Sequence, residues 1–326
     1  MIAVLGAGHW GTALATVLAD VSPNDKILFW GRTHYNKYLP DLKLPDNIEF
    51  STNLIDVLKQ ATDLLLTIPS SAFTDVIKTI IPHINPSITR IAWATKGLDA
   101  KTGRFFSEII SSLLGPNIPI AILSGPSFAL EVIKKLPTSI VLASKNTKED
   151  QEFSKYLIKK MHSKYFRIYT CTDVIGVQLG GVLKNILAVA SGICDGLGFG
   201  ANMRAALVTR GLAEGLRLIE SLGGKRQTLM GLSGAGDIFL SCSDNQSRNR
   251  SFGLLLSTGI TIEQAKSQIG QAIEALNNIE HIHHLALNHN VSMPIVLAMR
   301  QIITNNLSLK QAIENLLERP AEVEWL

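Results

Sequence analysis

Short apolar runs alternate with helix-period segments through the first half of this chain. The runs predict strands at Ile2–Leu5, Ile27–Trp30, Leu64–Ile68, Ile88–Ala94, Ile118–Leu123, Ser139–Ala143 and Phe166–Tyr169. Apolar positions at helical spacing predict helices near residues 10–20, 52–60, 70–81, 104–114 and 147–160. Such alternation is typical of a mostly parallel sheet with helices on both faces.

The second half has a different pattern. After Cys171 there is little two-residue alternation, and turn signals such as Met293-Pro294 separate long helix-period segments. These segments predict helices at 175–194, 202–222, 247–257, 261–268, 271–289, 294–304 and 308–317. We therefore expect an α/β domain at residues 1–172 and an all-α domain at 173–326. A loose surface tail is expected after Pro320.

A glycine-rich turn, Gly6-Ala7-Gly8-His9-Trp10-Gly11, joins the first predicted strand to the first predicted helix. In a dinucleotide-binding unit the first glycine permits the tight turn, the second lets the backbone approach a pyrophosphate, and the third lets the helix pack against the strand. The helix N-terminus adds a partial positive charge for the phosphates. This pattern predicts a Rossmann-type, doubly wound dinucleotide-binding domain at residues 1–172. A plain tight turn is the alternative.

The end of the second predicted strand bears on which nicotinamide cofactor would bind. An acidic residue there commonly bonds the ribose 2′-hydroxyl of NAD, but this strand ends in Trp30-Gly31-Arg32. Because a guanidinium can pair with a 2′-phosphate, Arg32 favours NADP(H) over NAD(H). If Arg32 only stacks on the adenine, both cofactors would be accepted.

Lys184 is predicted to lie on a helix face made of small and apolar residues, which is unusual for a lysine. On a helix, Gly180 and Gly181 lie one turn before it and Leu187 and Ala188 one turn after, so its own face is small and apolar. A lysine with little water around it is a candidate for acid–base chemistry. The alternative is a side chain that extends to the surface.

Lys96 is a second candidate because it closes a predicted strand in Ala94-Thr95-Lys96-Gly97. Ligands of doubly wound sheets bind beyond the carboxyl ends of the strands. From its position alone, Lys96 could equally be an ordinary loop lysine.

A third candidate group lies between residues 233 and 250. Asp237 follows the glycine bend Gly234-Ala235-Gly236, and ten residues later Ser247, Arg248 and Asn249 offer a hydroxyl, a guanidinium fork and an amide. Ser247, Arg248 and Asn249 together suit a phosphate monoester, and we call them the phosphate clamp. A helix N-cap followed by solvated arginines is the alternative.

Composition narrows the class of protein. The chain has 326 residues, 46% hydrophobic and 18% charged, with a formal net charge of +4 from 31 basic and 27 acidic side chains. This is a globular composition, and its mild basic excess suits an anionic small molecule better than nucleic acid. Three widely spaced cysteines, no secretory leader and no apolar run long enough to span a membrane lead us to expect a reduced, cytoplasmic protein.

Four histidines between residues 281 and 289 could suggest zinc. They are His281, His283, His284 and His289. We expect no metal there, because no cysteine or carboxylate pattern completes a ligand set.

The chain resembles the soluble NAD(P)-dependent glycerol-3-phosphate dehydrogenases, and the bacterial biosynthetic type most closely. The resemblance runs nearly end to end and combines motifs that other dehydrogenases of this fold do not share as a set. The motifs are residues 6–15 (GAGHWGTALA), 30–32 (WGR), 93–98 (WATKGL), 124–129 (SGPSFA), 176–185 (GVQLGGVLKN), 196–202 (GLGFGAN) and 244–250 (DNQSRNR).

The resemblance implies reversible hydride transfer between NAD(P)H and dihydroxyacetone phosphate, giving sn-glycerol 3-phosphate for glycerophospholipid synthesis. Lys184 would be the proton donor and acceptor, and Lys96 would hold the substrate and polarise its carbonyl. The remaining substrate contacts would be Gly125, Ser127, Asp237, Ser247, Arg248 and Asn249. Cofactor contacts would be Gly6, Gly8, His9, Trp10, Gly11, Arg32, Lys96, Ala129, Arg248, Ala272 and Glu274. The family is cytoplasmic and commonly dimeric.

Two positions depart from the family's pattern. Ala275 stands where members often carry glycine after Gln-x-x-Glu, and Ser127 stands where many carry threonine. Two other functions share the two-domain plan: a related 3-hydroxyacid or 6-phosphogluconate-type dehydrogenase, and a non-catalytic NAD(P) sensor. Paired lysines beside a phosphate clamp count against the sensor, which needs no group to activate a carbonyl.

Overall fold

The structure is a computed structural model that describes residues 1–35, 39, 41–304 and 306–320. The tail expected to be loose, after Pro320, lies outside the described residues. The described chain divides into two compact units. The first comprises Met1–Asp99 and Arg104–Val177, and the second comprises Ala100–Gly103 and the residues from Gln178 onward.

The first unit is built on one sheet. In its described residues the strands are β1 (Ile2–Leu5), β2 (Ile27–Trp30), β3 (Ile48–Ser51), β4 (Asp63–Leu66), β5 (Arg90–Trp93), β6 (Ile120–Ser124), β7 (Thr138–Ala143) and β8 (Phe166–Cys171). Their order across the sheet is β3-β2-β1-β4-β5-β6-β7-β8, with every pair parallel except β6 and β7. The predicted Rossmann-type, mostly parallel sheet is confirmed.

Six α-helices accompany these strands in the described residues. They are α1 (His9–Val21), α2 (Leu54–Gln60), α3 (Phe73–Ile80), α4 (Phe106–Leu114), α5 (Ala129–Ile133) and α6 (Lys148–Met161), with short 3₁₀ turns at Ser70–Ala72 and Ile81–His83. Apolar residues from α1, including Leu14 and Leu18, join Val4 of β1 and Phe29 of β2 in one buried core. This packing holds α1 against β1 and β2.

The strand order reverses direction between β1 and β4. From β1 the chain proceeds outward to β2 and β3, and then returns to the other side of β1 at β4. Ligands of open α/β sheets bind beyond the carboxyl ends of the strands at such a point. The Gly6–Gly11 turn lies there, directly after β1.

The C-terminal half is helical, as predicted. Its helices in the described residues are α7 (Val174–Gly196), α8 (Gly200–Ser221), α9 (Arg226–Leu229), α10 (Asp237–Ser243), α11 (Arg248–Ser257), α12 (Ile262–Ile269), α13 (Glu274–Asn288), α14 (Pro294–Ile303) and α15 (Leu309–Leu317), with a π-helical turn at Leu232–Gly236.

Helix α7 is the buried centre of this half. By length and composition it could cross a membrane, but 89% of its most apolar window is buried within the fold. Glycines let α11 cross it closely: a Cβ on Gly192 would lie 2.1 Å from the Arg250 carbonyl oxygen, and one on Gly253 would lie 2.1 Å from the Val189 carbonyl oxygen. Helices that carry site residues are thereby held backbone to backbone.

Candidate active site

The glycine turn after β1 is tightly built on one side and open on the other. Gly6 has φ +124°, and a Cβ on Gly11 would lie 1.8 Å from the Gly6 carbonyl oxygen. A Cβ on Gly8, by contrast, would meet no atom within 4 Å. The turn therefore needs glycine at residues 6 and 11 for its own shape, whereas residue 8 presents bare backbone to open space.

Thr67, just past the neighbouring strand β4, contacts this turn. Its hydroxyl donates to the Gly6 carbonyl at 2.9 Å, and a Cβ on Gly11 would lie 2.5 Å from its Oγ1. Sequence reasoning missed Thr67, because a threonine just past β4 gives no signal until β4 is known to lie beside β1.

The other predicted cofactor residues of the first unit lie at the start of α1, after β2 and at the start of α5. His9 and Trp10 open α1 and are partly buried. Gly31, just past β2, approaches Ala7 so closely that a Cβ on it would lie 2.4 Å from the Ala7 Cβ. Arg32 follows and is exposed. Ala129, the first residue of α5, packs against the same apolar core as Trp10.

Three proposed substrate residues converge on one carbonyl. The Lys96 ammonium donates to the Gly125 carbonyl oxygen at 3.1 Å, and the Ser127 hydroxyl donates to the same oxygen at 3.0 Å. Gly125 has φ +147°, a conformation that L side chains rarely adopt, so glycine is required where β6 ends. Lys96 is thus tied to the β6 end of the sheet and is not an unattached loop lysine.

Lys184 is paired with a buried carboxylate. Its ammonium lies 3.2 Å from Asp237 Oδ1 and donates to Ser241 Oγ at 3.2 Å. The Lys184 side chain is 18% exposed and that of Asp237 is 1% exposed. The sequence predicted an apolar face for this lysine, but α10 adds a polar partner to that face. A protonated lysine held beside a carboxylate can donate a proton to a substrate oxygen.

The helix that supplies these partners was not predicted. Asp237 and Ser241 lie one turn apart on α10, where the sequence pattern of Gly234-Ala235-Gly236 indicated only a bend. Burial raises the pKa of the neighbouring Cys242 to about 12, so its thiol stays protonated near neutral pH. The thiol therefore does not act as a thiolate beside Lys184.

The proposed phosphate clamp forms the start of α11. Ser247 is its N-cap and accepts the Arg250 backbone N–H at 3.4 Å. Asn249 is buried, donates to Asn185 Oδ1 at 2.9 Å and accepts the Ala275 N–H at 3.3 Å. Ser247 is therefore an N-cap, as the alternative interpretation held. The same hydroxyl can still donate its own hydrogen to a phosphate, because the N-cap bond uses only its oxygen as an acceptor.

Arg248 reaches the segment that precedes α13. Its Nη1 donates to Gln271 Oε1 at 3.0 Å on the surface. Ala272 is exposed and Glu274 is partly buried at the first position of α13. Ala275 has a buried methyl group, and its N–H is the group bonded to Asn249. This segment and the clamp therefore hold each other.

The histidines near the end of α13 have other partners. His281 bonds the Ala100 carbonyl oxygen at 3.1 Å, and His284 lies 3.1 Å from Glu280. Within the part of the chain that the structure describes, no group of three or more His, Cys, Asp or Glu side chains could hold a metal ion.

The glycine turn fits a dinucleotide. The open backbone at Gly8 lies at the N-cap of α1, and the first turn of α1 carries no acidic side chain. Both features favour an approaching pyrophosphate. Gly6, Gly8 and Gly11 would hold that group, with His9 and Trp10 next to it at the start of α1.

Comparison with known proteins places these features in one family. A model described as NAD-dependent glycerol-3-phosphate dehydrogenase N-terminus matches residues 1–150, and the corresponding C-terminus model matches residues 173–314. The chain belongs to the NAD-dependent glycerol-3-phosphate dehydrogenase family. It is an NAD(P)-dependent oxidoreductase, and the end-to-end resemblance predicted from its motifs is confirmed.

Individual relatives agree. A glycerol-3-phosphate dehydrogenase (NAD(P)+) of Coxiella burnetii (strain RSA 331 / Henzerling II) is 46% identical over 99% of this chain and 98% of its own length. One from Photorhabdus laumondii is 44% identical over 98% and 96%. A crystal structure of the Coxiella burnetii glycerol-3-phosphate dehydrogenase superposes with a TM-score of 0.91 at 46% identity, covering 98% of each chain. These matches support the glycerol-3-phosphate dehydrogenase function over the related dehydrogenases and the sensor.

Proposed function

We propose that this glycerol-3-phosphate dehydrogenase family member interconverts dihydroxyacetone phosphate and sn-glycerol 3-phosphate with NAD(P)H and NAD(P)+. The observation that carries the proposal is the Lys184–Asp237–Ser241 group in a chain whose family is established. In the reducing direction, one hydride and one proton are added across the C2 carbonyl, and the cofactor is oxidised.

The nicotinamide ring, when bound, supplies the hydride. Negative charge then grows on the C2 oxygen, and the ammonium of Lys184 stabilises it and delivers the proton. Asp237 holds Lys184 in position through the 3.2 Å ion pair. Lys96 adds a second positive charge that polarises the carbonyl.

The substrate's phosphate is held by the start of α11. Ser247, Arg248 and Asn249 combine a hydroxyl, a guanidinium and an amide at a helix N-terminus, which suits a dianion. Gly125 and Ser127 line the site beside Lys96. Binding energy from a phosphate remote from C2 orients the reacting carbon.

On the cofactor side, the Gly6–Gly11 turn takes the pyrophosphate, and Arg32 favours NADP(H) by pairing with its 2′-phosphate. His9, Trp10 and Ala129 contact the same cofactor, as do Lys96, Arg248, Ala272 and Glu274. We propose domains at residues 1–172 and 173–326, a homodimeric assembly, a cytoplasmic location and a role in supplying glycerophospholipid synthesis.

A substrate panel tests the reaction. Purified protein is given NADPH and, in separate assays, dihydroxyacetone phosphate, a 3-keto acid and ribulose 5-phosphate with bicarbonate, while cofactor absorbance is followed. We expect oxidation of NADPH only with dihydroxyacetone phosphate. Oxidation of NADPH with the 3-keto acid, or with ribulose 5-phosphate and bicarbonate, would favour the related dehydrogenases. If none of the compounds leads to oxidation of NADPH, the sensor would be favoured.

A further inference from the structure

A buried arginine connects the helices that carry the proposed catalytic and phosphate-binding residues. Arg250 lies in the first turn of α11, next to Asn249, and its side chain is 9% exposed. Its Nη2 donates to Asp195 Oδ2 at 2.6 Å, in the last turn of α7. Its Nε donates to the Cys242 carbonyl oxygen at 3.1 Å, near the end of α10. One guanidinium thus bonds three helices together.

The Cys242 carbonyl oxygen accepts a second hydrogen bond, from a serine on α7. Ser191 Oγ, on α7, donates to the Cys242 carbonyl oxygen at 2.6 Å. Beside these bonds α7 and α11 approach closely, because a Cβ on Gly192 would lie 2.1 Å from the Arg250 carbonyl oxygen. The backbone at Arg250 is therefore fixed against α7 at one point, while its side chain reaches α7 and α10 at two others.

Each of these helices contributes one part of the proposed site. Lys184 lies on α7, two turns before Ser191, Asp237 opens α10, and Ser247 and Asn249 stand at the start of α11. Arg250 itself does not belong to the proposed contacts. Its side chain is, however, bonded to both α7 and α10, and on α11 it follows Asn249 directly in the chain.

We propose that Arg250, through its bonds to Asp195 and the Cys242 carbonyl, is a positioning residue that sets the start of α11 for the substrate's phosphate. This inference rests on the proposed function and adds a residue to it. A planar guanidinium suits the task, because its donors point in fixed directions and one side chain can fix two partners at once. Charge-assisted hydrogen bonds of this kind are also the stronger ones.

Arg204 provides a matched control. It also donates to Asp195, at 2.8 and 2.7 Å, but from α8, and its side chain is 34% exposed. Replacing Arg204 removes one cation from the same carboxylate and leaves the bonds of Arg250 to α7 and α10 in place. A general effect of disturbing Asp195 would appear in both variants, whereas positioning of α11 depends on Arg250.

The test compares Arg250→Gln, Arg250→Lys and Arg204→Gln with the wild type by steady-state kinetics in both reaction directions. For Arg250→Gln we expect the KM for dihydroxyacetone phosphate and for glycerol 3-phosphate to rise about tenfold or more, as expected for loss of charged hydrogen bonds. The kcat should fall by less than the KM rises, and the KM for NADPH should stay within about twofold. Arg250→Lys, which keeps the cation facing Asp195, should recover part of the loss.

For Arg204→Gln we expect a KM for the phosphorylated substrates within about twofold of wild type. Equal KM changes in Arg250→Gln and Arg204→Gln would overturn the positioning role, and so would a lowered melting temperature with an unchanged KM. If Arg250→Gln does not fold, Asp195→Asn replaces it, with the same expected rise in KM and the same overturning results. A wild type inactive toward dihydroxyacetone phosphate would overturn the proposed function as well.

Discussion

The ammonium of Lys184 lies 3.2 Å from the carboxylate of Asp237, although 53 positions separate the two residues in the chain. Asp237 is almost wholly buried, and Lys184 keeps part of its side chain accessible. The buried carboxylate therefore holds the lysine in place, while part of the lysine side chain stays accessible to a ligand. This pair accounts for a lysine in the long, apolar helix α7.

Replacing Lys184 removes the proposed proton donor. We expect Lys184→Ala to lower kcat by about 10²- to 10⁴-fold, the usual contribution of general acid catalysis. NADPH binding, followed by its fluorescence, should change little, because the proposed pyrophosphate site lies at the Gly6–Gly11 turn. Lys159→Ala, at an exposed position of α6, is the control and should keep wild-type turnover. A Lys184→Ala enzyme with wild-type kcat would contradict the assignment.

The phosphate clamp predicts a defect in substrate binding. We expect Arg248→Ala to raise the KM for dihydroxyacetone phosphate by about 10- to 100-fold, since a charged hydrogen bond to the phosphate is lost. Gln271→Ala removes only the surface partner of Arg248 and should raise that KM far less. Equal KM values for Arg248→Ala and wild type would count against the clamp.

Arg32 is the residue that we propose to favour NADP(H) over NAD(H). If its guanidinium pairs with the 2′-phosphate, Arg32→Ala should lower kcat/KM for NADPH by about tenfold or more and leave that for NADH within about twofold. Both cofactors are compared on one enzyme preparation, so NADH serves as the internal control. Equal losses with NADPH and NADH would instead support stacking on the adenine.

We expect the buried carboxyl of Glu214 to make the stability of the fold depend on pH. Burial raises the pKa of this carboxyl to about 7, although it accepts the Ile295 and Val296 N–H groups, which act in the opposite direction. Since the folded pKa lies above the ordinary value of 4.5, this group stabilises the fold fully below pH 4.5 and loses that contribution as the pH rises through about 7.

Glu214→Gln keeps the size of the side chain and removes its titration. Between about pH 5 and pH 8, the free energy of unfolding of the wild type should fall by about 2 to 3 kcal/mol more than that of Glu214→Gln. Denaturant unfolding at both pH values measures the difference. Glu220→Gln, on the same helix but exposed and paired with Arg226, should behave like wild type. The same pH dependence in wild type and Glu214→Gln would rule out this role.

Much of the fold could be predicted from local patterns. Continuous apolar runs indicated the buried strands, and β1 and β2 have the predicted bounds. Strand β3 was missed, because it lies at the sheet edge, is only partly buried and has no continuous apolar run. Helices α5 and α9 were missed because they are short, and α10 because glycines precede it.

The sequence was enough to predict which residues form the candidate site, but not which residues they contact. Lys96, Lys184 and the Ser247–Asn249 group stand out by residue type and local pattern. The partners that hold them, such as Ser241 and Asn185, come from helices far apart in sequence. Periodicity identifies helix faces, but it does not say which two faces meet.

Hydride transfer to the C2 carbonyl can be followed with an isotope in the cofactor. Wild-type protein is incubated with dihydroxyacetone phosphate and NADPH that carries deuterium at C4 of the nicotinamide, on the transferred face, and the product is analysed by NMR and mass spectrometry. We expect sn-glycerol 3-phosphate with one deuterium at C2. Unlabelled product, or deuterium at another carbon, would contradict hydride transfer to the C2 carbonyl.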